Sequence, residues 1–409
     1  MDIQYELSAD FTQWPDGFLD RLRERGPIHR VRLLPDDDVW LVTSYQDVRA
    51  ALSEPGLSSD DRYVNGTGEG DQLGGSMLTA DPPDHTRLRR LVSAAFTPRR
   101  VEGLRPAIAR IAGELLDSIA PLGSTDLMAS YALPLPTRVI CALLGVPDED
   151  RDQVRAWSDA LFVAPVDAAA VADVLAARSA LRGYLAELLA AKRREPGDDL
   201  LSALCAKRDP LTDGAVLTDD ALLTHDAVLT DDELVATGVL LLVAGHETTA
   251  GLIAAATLRL LTHPDLLARV REDRALLAPA LEESLRMDGA VVLGVVRYTK
   301  RDVTIAGVRI PAGEAVMLCT PAANRDPARF AHPDIADLAR PENPHLSFGH
   351  GIHFCLGAPL ARLEAGIALD ALLDRLPDLA LAVPPAEIRW RSSAVRRLAA
   401  LPVRFTPSS

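Results

Sequence analysis

Pro344-His345-Leu346-Ser347-Phe348-Gly349-His350-Gly351-Ile352-His353-Phe354-Cys355-Leu356-Gly357 is the stretch around which the rest of the sequence is organised. Gly349, Gly351 and Gly357 bracket Cys355, so the backbone can turn sharply there and a bulky group can come close. Beyond it Leu360, Leu363, Ile367, Leu369 and Leu373 recur near helical spacing, which predicts a helix starting just after the cysteine. A thiol ahead of a helix N-terminus sits where unpaired N–H groups and the helix dipole favour its thiolate form. Such a thiolate is either a nucleophile or a soft metal ligand. A buried structural cysteine in a glycine-rich loop is the plain alternative.

The 409 residues carry a formal charge of −15, which speaks against nucleic acid or an anionic membrane as partners. No serine-rich or low-complexity linker divides the chain, so a single domain over residues 1–409 is expected, long enough to enclose a cofactor. Cys141, Cys205, Cys319 and Cys355 are widely spaced, and neither a disulfide framework nor a zinc cluster is indicated. The first residues lack the basic and apolar segments of a signal peptide. No run approaches the ~20 apolar residues that span a bilayer. These features suit a cytoplasmic protein.

Thr230-Asp231-Asp232-Glu233 has the spacing of a capping box, and the apolar pattern behind it runs unbroken to Leu261, ahead of Pro264. A helix of that length spans about 45 Å. In its middle stands Ala244-Gly245-His246-Glu247-Thr248-Thr249. Glycine costs about 1 kcal/mol relative to alanine in a helix interior, and a buried carboxylate needs a partner. Poor local choices inside an otherwise consistent helix mark a functional site.

The remaining expectations are more ordinary. A short helix is predicted over 14–25, then strands at 31–33 and 39–42 about a turn at Pro35-Asp36-Asp37-Asp38. A polar loop covers 57–75, and Pro82-Pro83 open a helix that carries His85 and Arg89 at i,i+4. An alanine-rich helix follows over 168–191, a strand leads into Arg297, and more strands lie within 388–405. Glu283 and Arg286 are spaced i,i+3 as a helical pair. Ala215-Val216-Leu217-Thr218-Asp219-Asp220 recurs as Ala227-Val228-Leu229-Thr230-Asp231-Asp232, two copies being too few for a solenoid.

Phe348, Gly351, His353, Cys355 and Gly357 stand at the spacing Phe-x-x-Gly-x-His-x-Cys-x-Gly, which resembles the haem-binding loop of the cytochrome P450 family. The resemblance runs in order along nearly the whole chain. His85 and Arg89 match a His-x-x-x-Arg segment, residues 244–249 match Ala-Gly-x-[Asp/Glu]-Thr-[Thr/Ser], and Glu283 and Arg286 match Glu-x-x-Arg. Arg340 matches the third member of that last network, although Ala336 replaces the usual aromatic residue.

The resemblance implies a mainly helical fold with small β-sheets, holding haem b between the long helix and the helix after the cysteine. Cys355 would be the proximal thiolate on the iron, in a loop shaped by Phe348 and Gly349. His85, Arg89, Arg297 and His353 would hold the haem propionates, which need cations once buried. Thr248 would hydrogen-bond dioxygen at the iron, Glu247 would relay protons, and Ala244 and Gly245 would leave room above the metal. Glu283, Arg286 and Arg340 would be structural.

It also implies a soluble bacterial haem-thiolate monooxygenase that inserts one atom of O2 into a lipophilic secondary metabolite, such as a macrolide or other polyketide, or a terpenoid. Electrons would come from NAD(P)H through ferredoxin reductase and ferredoxin, as separate chains. The ferredoxin would dock near the basic cluster of Arg87, Arg89, Arg90, Arg99, Arg100 and Arg105. The enzyme would act as a monomer, with 63–78, helices near 160–185, 291–295 and 392–395 around the substrate. Two other readings stay open: a Cys/His hydrolase or transferase with His350 or His353 as base to Cys355, and a haem-binding protein without turnover.

Overall fold

The computed structural model describes residues 5–6, 18–34, 37–63, 75–93, 95–162, 168–206, 229–391, 393 and 395–408. The chain is mainly helical with small sheets. It groups into two compact units, one of Met1–Gly68, Leu104–Pro136 and Glu247–Ser409, the other of Glu69–Gly103 and Thr137–His246. The turn at 35–36, most of the 57–75 loop, the first copy of the six-residue repeat and residues 227–228 of the second lie outside the described residues.

The main sheet belongs to the first unit. Its strands are β1 (Tyr5–Glu6), β2 (Ile28–Leu34), β3 (Asp37–Val42), β4 (Leu57–Ser58), β5 (Val295–Thr299) and β6 (Ala315–Leu318), in the order β1-β2-β3-β6-β5-β4. β2 and β3 form the expected hairpin, antiparallel with Ile28 opposite Val42 and Val31 opposite Val39. The run Val39-Trp40-Leu41-Val42 is apolar at every position because both faces are covered. Val39 and Leu41 enter one core cluster with Leu22 and Met317, whereas Trp40 and Val42 enter another with Val48 and Leu346. Helix α1 (Phe18–Arg25) covers the described part of the expected 14–25 helix, residues 14–17 lying outside the described residues, and supplies Leu19 and Leu22 to the first cluster.

In the second unit, α2 (Asp84–Ser93) starts directly after Pro82-Pro83, as the two prolines predict. In the first unit, α3 (Arg105–Ile119) packs along the helix that follows the cysteine. α4 (Arg151–Ala160) and the alanine-rich α5 (Ala168–Arg194) pack together in the second unit, with Trp157 against Tyr184 at 5.9 Å. The long helix α6 (Asp231–Thr262) has 32 residues and crosses the boundary between the units at His246/Glu247. Its capping box closes reciprocally: Thr230 N–H donates to Glu233 Oε2 at 2.9 Å, and Glu233 N–H donates to Thr230 Oγ1 at 3.2 Å. α6 corrects one expectation, since it is long and apolar enough to pass as a membrane span; 83% of the relevant window is nevertheless buried, the mark of a core helix.

The first unit closes with α7 (Leu277–Asp288) and α8 (Ala358–Arg375). The tail forms a strand at Pro402–Arg404, paired with Ser124–Asp126 and Ala380–Leu381, plus isolated bridges Trp390–Leu398 and Val291–Val395. On α7 the predicted Glu283–Arg286 pair is completely buried: Arg286 Nε and Nη2 donate to the two carboxylate oxygens at 2.8 and 2.9 Å. Arg340 Nε, Asn343 Nδ2 and the Asp337 N–H donate to the same carboxylate at 3.0, 3.0 and 2.8 Å. Arg286 also donates to the carbonyls of Asn324, Pro333 and Ile335, so one buried cation ties three loop positions to α7.

Arg286→Met should take the paired guanidinium from Glu283, leaving it Arg340, Asn343 and the Asp337 N–H, and should also release three carbonyls. Stability should fall by about 3–5 kcal/mol, read as a fall in urea midpoint at unchanged slope. A loss below about 1 kcal/mol would mean the pair behaves like a surface one.

Candidate active site

The cysteine loop is built by two glycines with left-handed backbone. Gly349 has φ +74° and Gly351 φ +72°. A Cβ on Gly351 would stand 2.8 Å from Ser53 Oγ and 3.0 Å from the Leu52 carbonyl oxygen, so the loop is pressed onto a neighbouring turn as well as bent. Cys355 N–H donates to the Phe348 carbonyl at 2.8 Å and closes the loop. The half-buried Cys355 lies three residues ahead of α8, as predicted.

The other cysteines make poor thiolates. Burial pushes the thiols of Cys141 and Cys319 up to about 12. Cys205 is also raised by burial, and it ends a helix, where the dipole opposes negative charge. Cys355 has the opposite helix terminus in front of it.

A second set of contacts holds this loop to its supports. The Arg362 guanidinium lies 4.6 Å from the centre of the Phe348 ring, and the His345 ring lies 5.9 Å from it. Arg362 Nε and Nη2 donate to Glu282 at 2.6 and 2.9 Å, and His345 Nε2 contacts the same carboxylate at 3.0 Å. Glu282 therefore joins α7, α8 and the segment leading into the cysteine loop. Sequence reasoning did not find this hub, because the partners lie 63 and 80 residues away.

The expected propionate partners are distributed over both units. In the first, Arg297 on β5 is buried and its Nη1 donates to the Val296 carbonyl at 2.8 Å, while His353 Nε2 lies 2.9 Å from Ser59 Oγ. In the second, α2 carries a buried His85 and a half-buried Arg89. Between them in sequence, Arg87 forms an ion pair with the capping-box residue Glu233. That pair takes Arg87 out of the expected docking cluster, whereas Arg90, Arg99, Arg100 and Arg105 are exposed.

On α6 the expected irregularity is visible as exposure. Ala244 is exposed and Gly245 and Thr248 are half-buried, although residues 239–243 and 249–256 around them are buried. Ala244 and Thr248 are one helical turn apart and share a face. Gly245 has a packing reason besides the expected one: a Cβ there would stand 2.9 Å from the Ile140 side chain. His246 is buried, with Nδ1 at 2.8 Å from the Leu242 carbonyl. Glu247 is buried at 2% exposure, and Arg397 Nη1 donates to its Oε1 at 2.7 Å. Arg397 was not found from sequence. It lies 150 residues from Glu247, and nothing in Val395-Arg396-Arg397-Leu398 marks it locally.

The donor set of the first unit suits haem. A thiol ahead of a helix N-terminus offers a soft, anionic iron ligand, and the buried Arg297 guanidinium and half-buried His353 imidazole can neutralise carboxylates.

The sequence model of the family described as Cytochrome P450 matches residues 8–377. The chain is 47% identical over 404 residues to cytochrome P450 monooxygenase PikC of Streptomyces venezuelae, covering 98% of this chain and 93% of that protein. It is 45% identical over 412 residues to vitamin D(3) 25-hydroxylase of Pseudonocardia autotrophica, covering 99% and 98%. Among solved structures, the tirandamycin C-bound P450 monooxygenase TamI superposes with TM-score 0.87 at 42% identity, covering 98% of this chain and all of that one, 100%.

The Glu282 hub predicts a pH response. Burial alone would raise this carboxyl, but Arg362 and His345 outweigh it and bring it from its ordinary value of 4.5 to about 2. Its contribution to stability is thus complete above pH 4.5 and lost as pH falls toward 2. Acid titration of unfolding should show wild type losing more stability across that window than Glu282→Gln; parallel curves would remove the hub from this role.

Proposed function

The chain belongs to the cytochrome P450 family, and we propose that it inserts one atom of dioxygen into a lipophilic secondary metabolite of polyketide type. The observation that carries this reading is the half-buried Cys355, held in its glycine-built loop at the head of α8. In the balanced reaction, substrate, O2, two electrons and two protons give oxygenated product and water. Haem b, when bound, supplies the iron at which dioxygen is reduced and oxygen is transferred.

The chain's own residues have distinct tasks. Cys355 ligates iron as a thiolate, its charge favoured by the N-terminus of α8. Phe348 and Gly349 shape the loop around it. Arg297 and His353 would neutralise the propionates when haem is bound, a task His85 and Arg89 would share. Ala244 and Gly245 keep one stretch of α6 low in relief, so that a diatomic molecule fits beside it. The Thr248 hydroxyl accepts and donates hydrogen bonds on that same face, orienting dioxygen and a water. Glu247, one residue earlier, relays protons to this hydroxyl.

Electrons reach the protein from NAD(P)H through a separate ferredoxin reductase and ferredoxin. Exposed Arg90, Arg99 and Arg100 form a surface that steers an acidic partner. We read residues 1–409 as one working domain, active as a cytoplasmic monomer. The relative named for vitamin D(3) and the structure bound to tirandamycin C both point to large, largely apolar substrates. Family membership leaves no role for the hydrolytic use of Cys355 with His350 or His353.

Thr248→Ala tests the assignment. The variant should keep haem and substrate binding, while product formed per NAD(P)H consumed falls at least about tenfold, the scale of a lost acid–base group. Labelled O2 should place one labelled atom in each product of the wild type. Undiminished product from Thr248→Ala would contradict the role given to its hydroxyl.

A further inference from the structure

The acid on α6 is held by a segment that is itself anchored at several points. Arg397 Nη1 donates to Glu247 Oε1 at 2.7 Å, both side chains being buried. Its neighbour Arg396 faces a second acid: Arg396 Nη2 lies 3.7 Å from Asp288 Oδ1 at the end of α7, and its guanidinium lies 3.8 Å from the centre of the Trp390 ring. Asp288 is also paired with Arg259 of α6.

The backbone is fixed as closely as the side chains. Arg396 N–H donates to the Ala290 carbonyl at 2.7 Å, Arg391 N–H donates to the Arg397 carbonyl at 2.8 Å, and Ala399 N–H donates to the Arg389 carbonyl at 2.8 Å. Bridges Val291–Val395 and Trp390–Leu398 flank these bonds. Against α6 the approach is close. A Cβ on Gly251 would stand 2.6 Å from the Arg396 carbonyl oxygen, and Gly251 lies one turn beyond Glu247 on the same helix face. Glycine at 251 lets the segment reach α6, and with alanine there the backbone would have to withdraw.

We propose that Arg397 is a positioning residue for proton delivery, fixing the orientation of the Glu247 carboxylate, and that Gly251 and the Arg396–Asp288 contact hold Arg397 rigidly enough to do so. This rests on the reading of Glu247 as the acid that supplies Thr248. A buried carboxylate that accepts from a buried guanidinium has its rotamer constrained by that charge-assisted bond. A small displacement of a group that must meet a reacting partner costs far more in rate than in binding.

The test uses the holoenzyme and four variants: Glu247→Gln, Arg397→Met, their double, and Arg397→Lys, each checked for its haem band and substrate affinity. Product per NAD(P)H should fall roughly tenfold in Arg397→Met, within what a slight misplacement of a reacting group costs. The double variant should be no worse than Glu247→Gln, because Arg397 acts through that acid. Arg397→Lys should recover most of the coupling. Urea midpoints give a readout independent of turnover: the double variant should be more stable than Arg397→Met alone, since it removes the buried carboxyl charge together with the guanidinium that compensated it.

Gly251→Ala, with both partners intact, should lower coupling in the same direction, and it remains informative should Arg397→Met fail to fold. Wild-type coupling in both Arg397→Met and Gly251→Ala, or losses that simply add in the double variant, would overturn the proposal. An unaffected Glu247→Gln would overturn the reading of the acid itself, and this proposal with it. An impaired Glu247→Gln beside an unaffected Arg397→Met would overturn the positioning role alone.

Discussion

Two consecutive carboxylates on α7, Glu282 and Glu283, hold the surroundings of the cysteine loop in place. A helix turns by about 100° per residue, so neighbouring side chains point to different sides. Glu283 faces the irregular segment of residues 324–343 and accepts hydrogen bonds from Arg286, Arg340, Asn343 and a backbone N–H. Glu282 faces α8 and the loop, and binds Arg362 and His345. Irregular backbone has no ladder of its own to stabilise it. Here its carbonyls and N–H groups are satisfied by these buried side chains instead, which is how a glycine-rich loop can present one thiol in one orientation.

α6 meets a different requirement. A helix that must be apolar to be buried also has to carry an acid, an alcohol and two small residues at one level. The capping box starts the helix, its apolar turns bury it, and Arg397 compensates the charge of Glu247. A buried carboxylate without such a cation would take up a proton or move toward solvent. The ion pair therefore compensates an acid in a helix interior, and Gly251 makes room for the chain that brings the arginine.

What could be read from sequence was local. The capping box, the helix after Pro82-Pro83, the Glu283–Arg286 pair and the cysteine loop all depend on residues within a few positions of one another, where spacing alone implies contact. The continuous apolar run of β3 was legible as a strand, although the two separate clusters it joins were not. Contacts between distant segments left no such trace. Arg397 with Glu247, Arg362 with Glu282, and the Arg396 carbonyl against Gly251 join residues 80 or more apart, and although Glu247 stands out in its helix, nothing local marks its partner or the other contacts. Arg87 went to the docking surface on charge alone because its partner, Glu233, lies 146 residues away. Gly245 was assigned to making space, and its contact with Ile140 could not be seen without the fold.

The most direct measurement is the absorption spectrum of the purified protein, reduced and exposed to carbon monoxide. A strongly red-shifted Soret band that disappears in Cys355→Ala is predicted, because thiolate ligation of the iron would be what shifts it so far. A haem band at the unshifted position, or a shifted band that survives the loss of Cys355, would contradict the assignment of this cysteine.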